Sequence, residues 1–244
     1  MTPIIVIPSR MASSRLPGKP LADIAGRAMI LHVLDRAREA AIGPVAVACA
    51  DEEIALAVRA AGGIAVMTDP TLPSGSDRVH AALSTLDPQG KHDIVVNLQG
   101  DLPTIPPGHL RAVIAPLADP TIDIATLVAP IETAEEAFSP SVVKAACAFE
   151  RGRAVSPALY FSRAPIPAGD GPRWHHIGIY AYRRAALARF VSLPASPLER
   201  RENLEQLRAL EAGMRIACAR VEHAPYGVDT PADLERARKE LTQC

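Results

Sequence analysis

Apolar residues recur along this chain in short runs separated by amphipathic stretches. Ile4-Ile5-Val6-Ile7 is apolar at every position, which predicts a strand covered on both faces in the middle of a parallel sheet. Met29, Leu31, Val33, Leu34 and Ala37 form one face of a helix over 29–41. Pro44 to Cys49 reads as the next strand, and Asp51 as the N-cap of a helix running to about Ala61. Glu52 and Glu53 fall in that helix's first turn, where they complement its dipole. Ile64 to Met67 reads as a strand, a helix runs from the 73–78 loop to about Leu86, and Asp93 to Leu98 reads as a further strong strand.

The second half is less regular. A helix starts at Pro106-Pro107 and a strand spans Ile124 to Val128, followed by a short helix over 135–138. Val142 to Phe149 reads as a strand turning at Glu150-Arg151-Gly152, whereas 158–167 leaves the strand pattern and ends at prolines. His176 to Tyr182 alternates, as a strand with one exposed face does, and Leu187 to Val191 is helical. Ser196-Pro197 opens one long helix, with Pro197 at its first position, that continues to Glu211 and ends at Gly213. Ile216 to Val221 is a strand, and Asp229 or Thr230 caps a final helix that starts at Pro231. The expectation is an α/β chain forming a single domain over 1–244, with a mostly parallel central sheet flanked by helices. An inserted mixed-sheet subdomain is expected at about 130–190.

Composition narrows the function classes. Net charge is −1 with 22% charged residues, which gives no basic excess for nucleic acid, and 4% aromatics are too few for stacking platforms. Cys49, Cys147, Cys218 and Cys244 are scattered without zinc or redox spacing, so free thiols in a reducing compartment are expected. The first residues lack the charge and apolar core of a signal peptide, and no run approaches about 18 apolar residues. A cytoplasmic protein that meets neither membrane nor nucleic acid is the expectation.

The candidate chemistry begins where the first strand ends. Arg10, Arg15 and Lys19 lie within ten residues with no carboxylate among them, in a loop stiffened by Pro8, Pro17 and Pro20. Open α/β sheets bind ligands at the carboxyl ends of their strands, and such a loop suits a polyphosphate. A P-loop and a dinucleotide fingerprint are both absent, which excludes a Rossmann dehydrogenase. Asp101 follows Gly100 at the end of the 93–98 strand, placed either as a turn residue or to hold a hard cation. Ser74-Gly75-Ser76-Asp77-Arg78, read alone, is a capped helix start, and the segment around Glu205-Gln206 an amphipathic helix with solvated charges.

Pro8-x-Arg10-x-x-Ser13-Ser14-Arg15-Leu16-Pro17-Gly18-Lys19-Pro20-Leu21 resembles the signature loop of CMP-sugar nucleotidyltransferases, most closely the 3-deoxy-manno-octulosonate (Kdo) cytidylyltransferases. Five further blocks are similar in order: 74–78, Gln99-Gly100-Asp101-x-Pro103, 158–167 with His176-x-Gly178-Ile179-Tyr180, Ser196 to Arg208, and Gly227-Val228-Asp229-Thr230-Pro231. The resemblance implies a Rossmann-like nucleotidyltransferase fold and transfer of a cytidylyl group from CTP to Kdo for lipopolysaccharide biosynthesis. It implies nucleotide contacts from Pro8, Ser9, Arg10, Ser14, Arg15, Lys19, Ser74, Gly75, Arg78 and Gln99, with Arg10, Arg15, Lys19 and Asp101 as the catalytic set. Mg²⁺ on Asp101 and Asp229 is implied, as are sugar contacts from Gln99, Lys144, Arg163, His176, Tyr180, Glu205 and Gln206, and a homodimer. Leu102 stands where the resembled family usually has glutamate, and the loop between Arg163 and His176 is shorter than usual. Both departures keep another acidic sugar, such as an amino-substituted Kdo or a nonulosonate, as an alternative acceptor. A non-catalytic nucleotide-binding protein on the same fold is the remaining alternative.

Overall fold

The computed structural model of the protein describes residues 1–13 and 15–242; Ser14 and Cys244, both named above, lie outside the described residues. The chain divides into two compact units, one made of Met1–Leu110 and Pro225–Cys244, the other of Arg111–Ala224.

The first unit holds β1 (Pro3–Ser9), a ribbon of β2 (Asp23–Ile24) and β3 (Arg27–Ala28), α1 (Met29–Glu39), β4 (Val45–Cys49), α2 (Glu52–Ala60), β5 (Ile64–Met67), α3 (Gly75–Leu86) and β6 (Ile94–Asn97). Its sheet runs in the order β5-β4-β1-β6 with every pairing parallel. Ile5, Val6 and Ile7 are fully buried, because β1 has a strand on each side and helices on the faces, as its uninterrupted apolar run predicts. From β1 the chain steps outward to β4 and then β5, while β6 lies on the other side of β1. The strand order therefore reverses at the β1–β6 pair, and a crevice opens beyond the carboxyl ends of those two strands. Gly100 lies in that crevice close to the β1 backbone. A Cβ there would meet Pro8 O at 3.0 Å and Ile30 Cδ1 at 3.4 Å, so a side chain would press on β1 and α1 and displace the loop that carries Asp101.

The chain passes through α4 (Pro107–Ile114) into the second unit. That unit holds β7 (Ile124–Pro130), α5 (Ala134–Phe138), β8 (Lys144–Cys147), β9 (Val155–Ser162), β10 (Trp174–Arg183), α6 (Arg184–Ser192), α7 (Pro197–Glu202), α8 (Leu207–Glu211) and β11 (Ile216–Arg220). Its strands run β10-β7-β11-β9-β8, mixed in direction, and β8 returns to pair with the start of β10.

Two expectations from the sequence need correction here. Residues 155–162 form a strand rather than leaving the strand pattern. Ser156 is buried while Pro157 and Leu159 face outward, so the polarity of the alternation is inverted and the pattern is hidden. The single long helix expected over 197–211 is two helices. Asn203 adopts φ 55°, ψ 49° after a first helix whose Ser196 and Glu199 form a reciprocal capping box, and the chain turns before α8.

The last helix, α9 (Pro231–Thr242), belongs to the first unit. Val228, Leu234 and Ala237 pack against Ile24 and Met29, with Leu16 and Tyr226 at the edge of the cluster. Thr230 and Asp233 cap the helix: the Asp233 carboxylate accepts the Asp229 and Thr230 N–H groups at 3.1 and 2.8 Å.

Candidate active site

Three loops of the first unit meet at the crevice. The first, after β1, is folded back on itself by Gly18 N–H donating to Met11 O at 3.3 Å. Gly18 takes φ 70°, a left-handed conformation that costs glycine little, and the turn of 3-10 helix that follows starts at Lys19. The second loop, after β6, carries Gln99, Gly100 and Asp101. The third precedes α9 and carries Asp229. Val228 N–H donates to Asp101 O at 2.9 Å, so the backbones bearing the two aspartates are tied directly.

The carboxylates converge on one cation. Lys19 Nζ donates to Asp101 Oδ2 at 2.9 Å and to Asp229 Oδ1 at 3.0 Å, and Arg15 reaches Asp229 Oδ2 at 3.0 Å. Burial of Lys19 works against its charge, but Asp101 and then Asp229 outweigh it and hold the ammonium above its ordinary pKa. Beside this cluster lies a cavity of about 370 Å³ lined by Pro8, Ser9, Arg10, Ser13, Arg15, Lys19, Ser74, Gly75, Arg78, Gln99 and Asp101 among others. Every described residue that the sequence assigns to the nucleotide therefore lines one cavity, while Ser14 is outside the described residues.

Electrostatics of the rim favour an anion. Arg78 is only 2% exposed and donates to Thr68 Oγ1 at 2.6 Å and Asp69 O at 3.0 Å. Burial, and next the like charge of Arg10, lower its pKa; an anion between the two guanidinium groups would relieve both. Ser74 does cap α3, its Oγ accepting from Asp77 N at 3.2 Å, and it lines the cavity as well. Gln99 Nε2 donates to Asn97 Oδ1 at 3.1 Å, which orients the amide.

Asp101 and Asp229, the carboxylates expected to share a metal, both contact Lys19 Nζ; no group of three His, Cys, Asp or Glu with metal-site geometry occurs among the described residues. The donor set still fits Mg²⁺, which binds through one or two carboxylates and takes its other ligands from phosphate oxygens and water. Both side chains are partly exposed, at 30% and 43%, which leaves room for those ligands. Leu102 is 7% exposed and lies near Gly227, so the residue at the position of the resembled family's glutamate is a buried apolar side chain.

The residues assigned to the acceptor sugar, apart from Gln99, lie in the second unit. Lys144 is fully buried and donates to Ser139 O, Val142 O and Arg163 O at 2.8, 2.7 and 2.7 Å. Arg163 donates to Pro140 O, Glu202 O and Asn203 O. His176 is buried against the Phe161 and Tyr180 rings and bonded to Thr126 Oγ1 at 3.0 Å. The Thr126 hydroxyl is directed at the Ile177 and Ile179 carbonyls of a bulge in β10, so the imidazole supplies the N–H. Burial, then the charge of His175, pushes His176 down to about 3, which keeps it neutral. Burial raises the Tyr180 hydroxyl well above its ordinary value. Glu205 faces Arg208 at 4.0 Å, and Gln206, 6% exposed, keeps its Nε2 without a hydrogen-bond partner among the described residues.

Sequence reasoning missed the residues that hold the loops. Asp51 sits at the N-cap of α2, yet its side chain makes no capping bond. Its Oδ2 instead accepts from Met11 N–H at 2.7 Å. Thr68, Asp69 and Asn97 brace Arg78 and Gln99, and Leu72 lines the cavity. No motif marks them, because their roles arise only when separate loops meet.

The chain is similar to known proteins over nearly its whole length. The profile of the family described as Cytidylyltransferase matches residues 4–216. A 3-deoxy-manno-octulosonate cytidylyltransferase of Rhodospirillum centenum is 66% identical over 97% of this chain and 92% of its own length. That of Paramagnetospirillum magneticum is 62% identical over 98% and 97%. A CMP:2-keto-3-deoxy-manno-octonic acid synthetase solved in complex with CTP superposes with a TM-score of 0.90 at 43% identity, covering 100% of this chain and 99% of that one. With two aspartates and a lysine gathered at a cation-rimmed crevice, and with likeness extending over the whole length, the chain belongs to the 3-deoxy-manno-octulosonate cytidylyltransferases of the cytidylyltransferase family.

Proposed function

We propose that the protein transfers the cytidylyl group of CTP to the anomeric hydroxyl of Kdo, giving CMP-Kdo and pyrophosphate, and so activates the sugar for lipopolysaccharide synthesis. The observation that carries the proposal is the convergence of Lys19, Asp101 and Asp229 beside the cavity rimmed by Arg10, Arg15 and Arg78. The sugar oxygen bonds to the α-phosphorus, the bond to the bridging oxygen breaks, and pyrophosphate leaves with that electron pair. The hydroxyl proton passes to solvent.

Such transfers are accelerated mainly by positioning and by fixed charge. Arg10 and Arg78 would take the phosphate oxygens, which relieves their mutual repulsion. Lys19 can turn from the carboxylates to the phosphates through its flexible stem, leaving Asp101 and Asp229 to Mg²⁺. When bound, that ion neutralises phosphate charge and lowers the pKa of the attacking hydroxyl. On the sugar side, the Gln206 Nε2, without a hydrogen-bond partner among the described residues, supports a contact to a sugar hydroxyl.

A cytoplasmic homodimer belongs to the same reading; among the described residues no helix is long and apolar enough to cross a membrane. The test is pyrophosphate release from CTP with and without Kdo, each with Mg²⁺ and with chelator. Release that needs both sugar and metal is expected, and release indifferent to Kdo would refute the proposed acceptor.

A further inference from the structure

Asp51 occupies a position where a side-chain oxygen ordinarily stabilises its own helix, and it does not do so. The geometry shows what replaces that bond. Strands β1 and β4 run in parallel register up to Ser9 opposite Cys49, and Ala50 N–H then donates to Ser9 O at 3.0 Å. Beyond that point β4 has ended at Cys49. The Asp51 carboxylate takes the next donor, Met11 N–H, from 40 residues away. The ladder is thus prolonged by a side chain past the end of the sheet.

Met11 is the node of the cationic loop. Its N–H is held by Asp51, its carbonyl accepts from Gly18 N–H, and it sits between Arg10 and the turn that leads to Lys19. A short bond from a backbone N–H to a carboxylate is charge-assisted and stronger than one to a neutral acceptor. The Asp51 charge also acts on Arg78, opposing the effect of Arg10 there. We infer that Asp51 is a positioning residue for the nucleotide: it fixes the loop carrying Arg10, Arg15 and Lys19 before the triphosphate arrives. The inference rests on the nucleotide reading of the cavity. Preorganisation of this kind raises affinity by removing the cost of ordering a loop on binding.

Three substitutions separate this role from plain helix capping. Asp51→Asn keeps an oxygen that can accept the Met11 N–H. Asp51→Ser keeps a good cap for α2 but is too short to hold the loop, and Asp51→Ala keeps neither. CTP binding is measured by calorimetry, steady-state constants for CTP and Kdo by pyrophosphate release, and stability by thermal melting. The expectation is that Ser and Ala weaken CTP binding and raise its KM by about 10-fold, the size of one lost charge-assisted bond, with Kdo KM and kcat changed far less. Asn should stay within about 3-fold of wild type, and Ser should melt at or above the Ala variant. Wild-type protein that binds CTP while Ser and Ala bind it equally well would overturn the inference alone. So would an Asn variant as weak as Ala, or a rise in both KM values that follows a fall in melting temperature. Wild-type protein that binds no CTP would overturn the reading of the cavity itself.

Discussion

Buried or half-buried cations serve opposite ends in the two units. In the first, Lys19 is held by two side-chain carboxylates and Arg78 by one hydroxyl and one carbonyl, at the wall of a cavity open to a ligand. In the second, Lys144 spends all three N–H bonds on main-chain carbonyls and is closed off from solvent. Carboxylate pairs can exchange one cation for another at modest cost, because the partners are mobile and partly hydrated. Three carbonyls fixed by the backbone cannot, and removing their donor leaves them unsatisfied. The difference teaches that a positive residue in a matching motif can be either a tool or a rivet, and only its partners say which.

The comparison can be broken most sharply at Lys19 and Asp101. Lys19→Ala or Asp101→Ala should cut turnover by roughly 10²-fold or more while melting close to wild type, since one preorganised charge is lost from a partly exposed site. A turnover near normal in either variant would remove that residue from the catalytic set. Lys144→Met should do the reverse and cost about 3 kcal/mol or more in denaturant unfolding, through carbonyls left unpaired. A stable Lys144→Met protein with only its Kdo KM raised would erase the distinction drawn here.

A pH experiment sharpens the second unit further. His176 is held near a pKa of about 3 by burial, below its ordinary 6.5. Protons therefore bind the unfolded chain more readily, so its contribution to stability is fully present above about 6.5 and fades as pH falls toward 3. The loss amounts to about 1.4 kcal/mol per pH unit in that window. His176→Gln should flatten that part of the acid-unfolding curve relative to wild type; equal slopes would show that another group governs it. The smallest effect is expected at Asn203, where Ala in the left-handed conformation should cost about 1 kcal/mol and Gly should be tolerated. Calorimetric melting of both variants measures it.

Much of the first unit could be read from residue order, because its functional side chains follow uninterrupted apolar strands and lie in short contiguous motifs. Ile4 to Ile7 announce β1, and the next twelve residues hold most of the cationic loop. Asp51 was opaque for a physical reason: an aspartate before a helix has an adequate local explanation, and nothing local shows that its oxygen reaches Met11 instead. In the second unit, β9 hides behind an inward Ser156 and an outward Leu159, and Asn203 interrupts what reads as continuous helix. The environment of Lys144 depends on carbonyls from three separate positions, which no spacing rule encodes.

The backbone bond from Val228 to Asp101 has a consequence for biosynthesis. Lys19 and its second carboxylate partner are 210 residues apart, so a ribosome adds that whole span before Asp229 is made. Until then the nascent chain carries the lysine and one aspartate without the other. The cluster of Lys19, Asp101 and Asp229 is therefore completed late, and a product truncated before Asp229 would lack it even if its parallel sheet had formed.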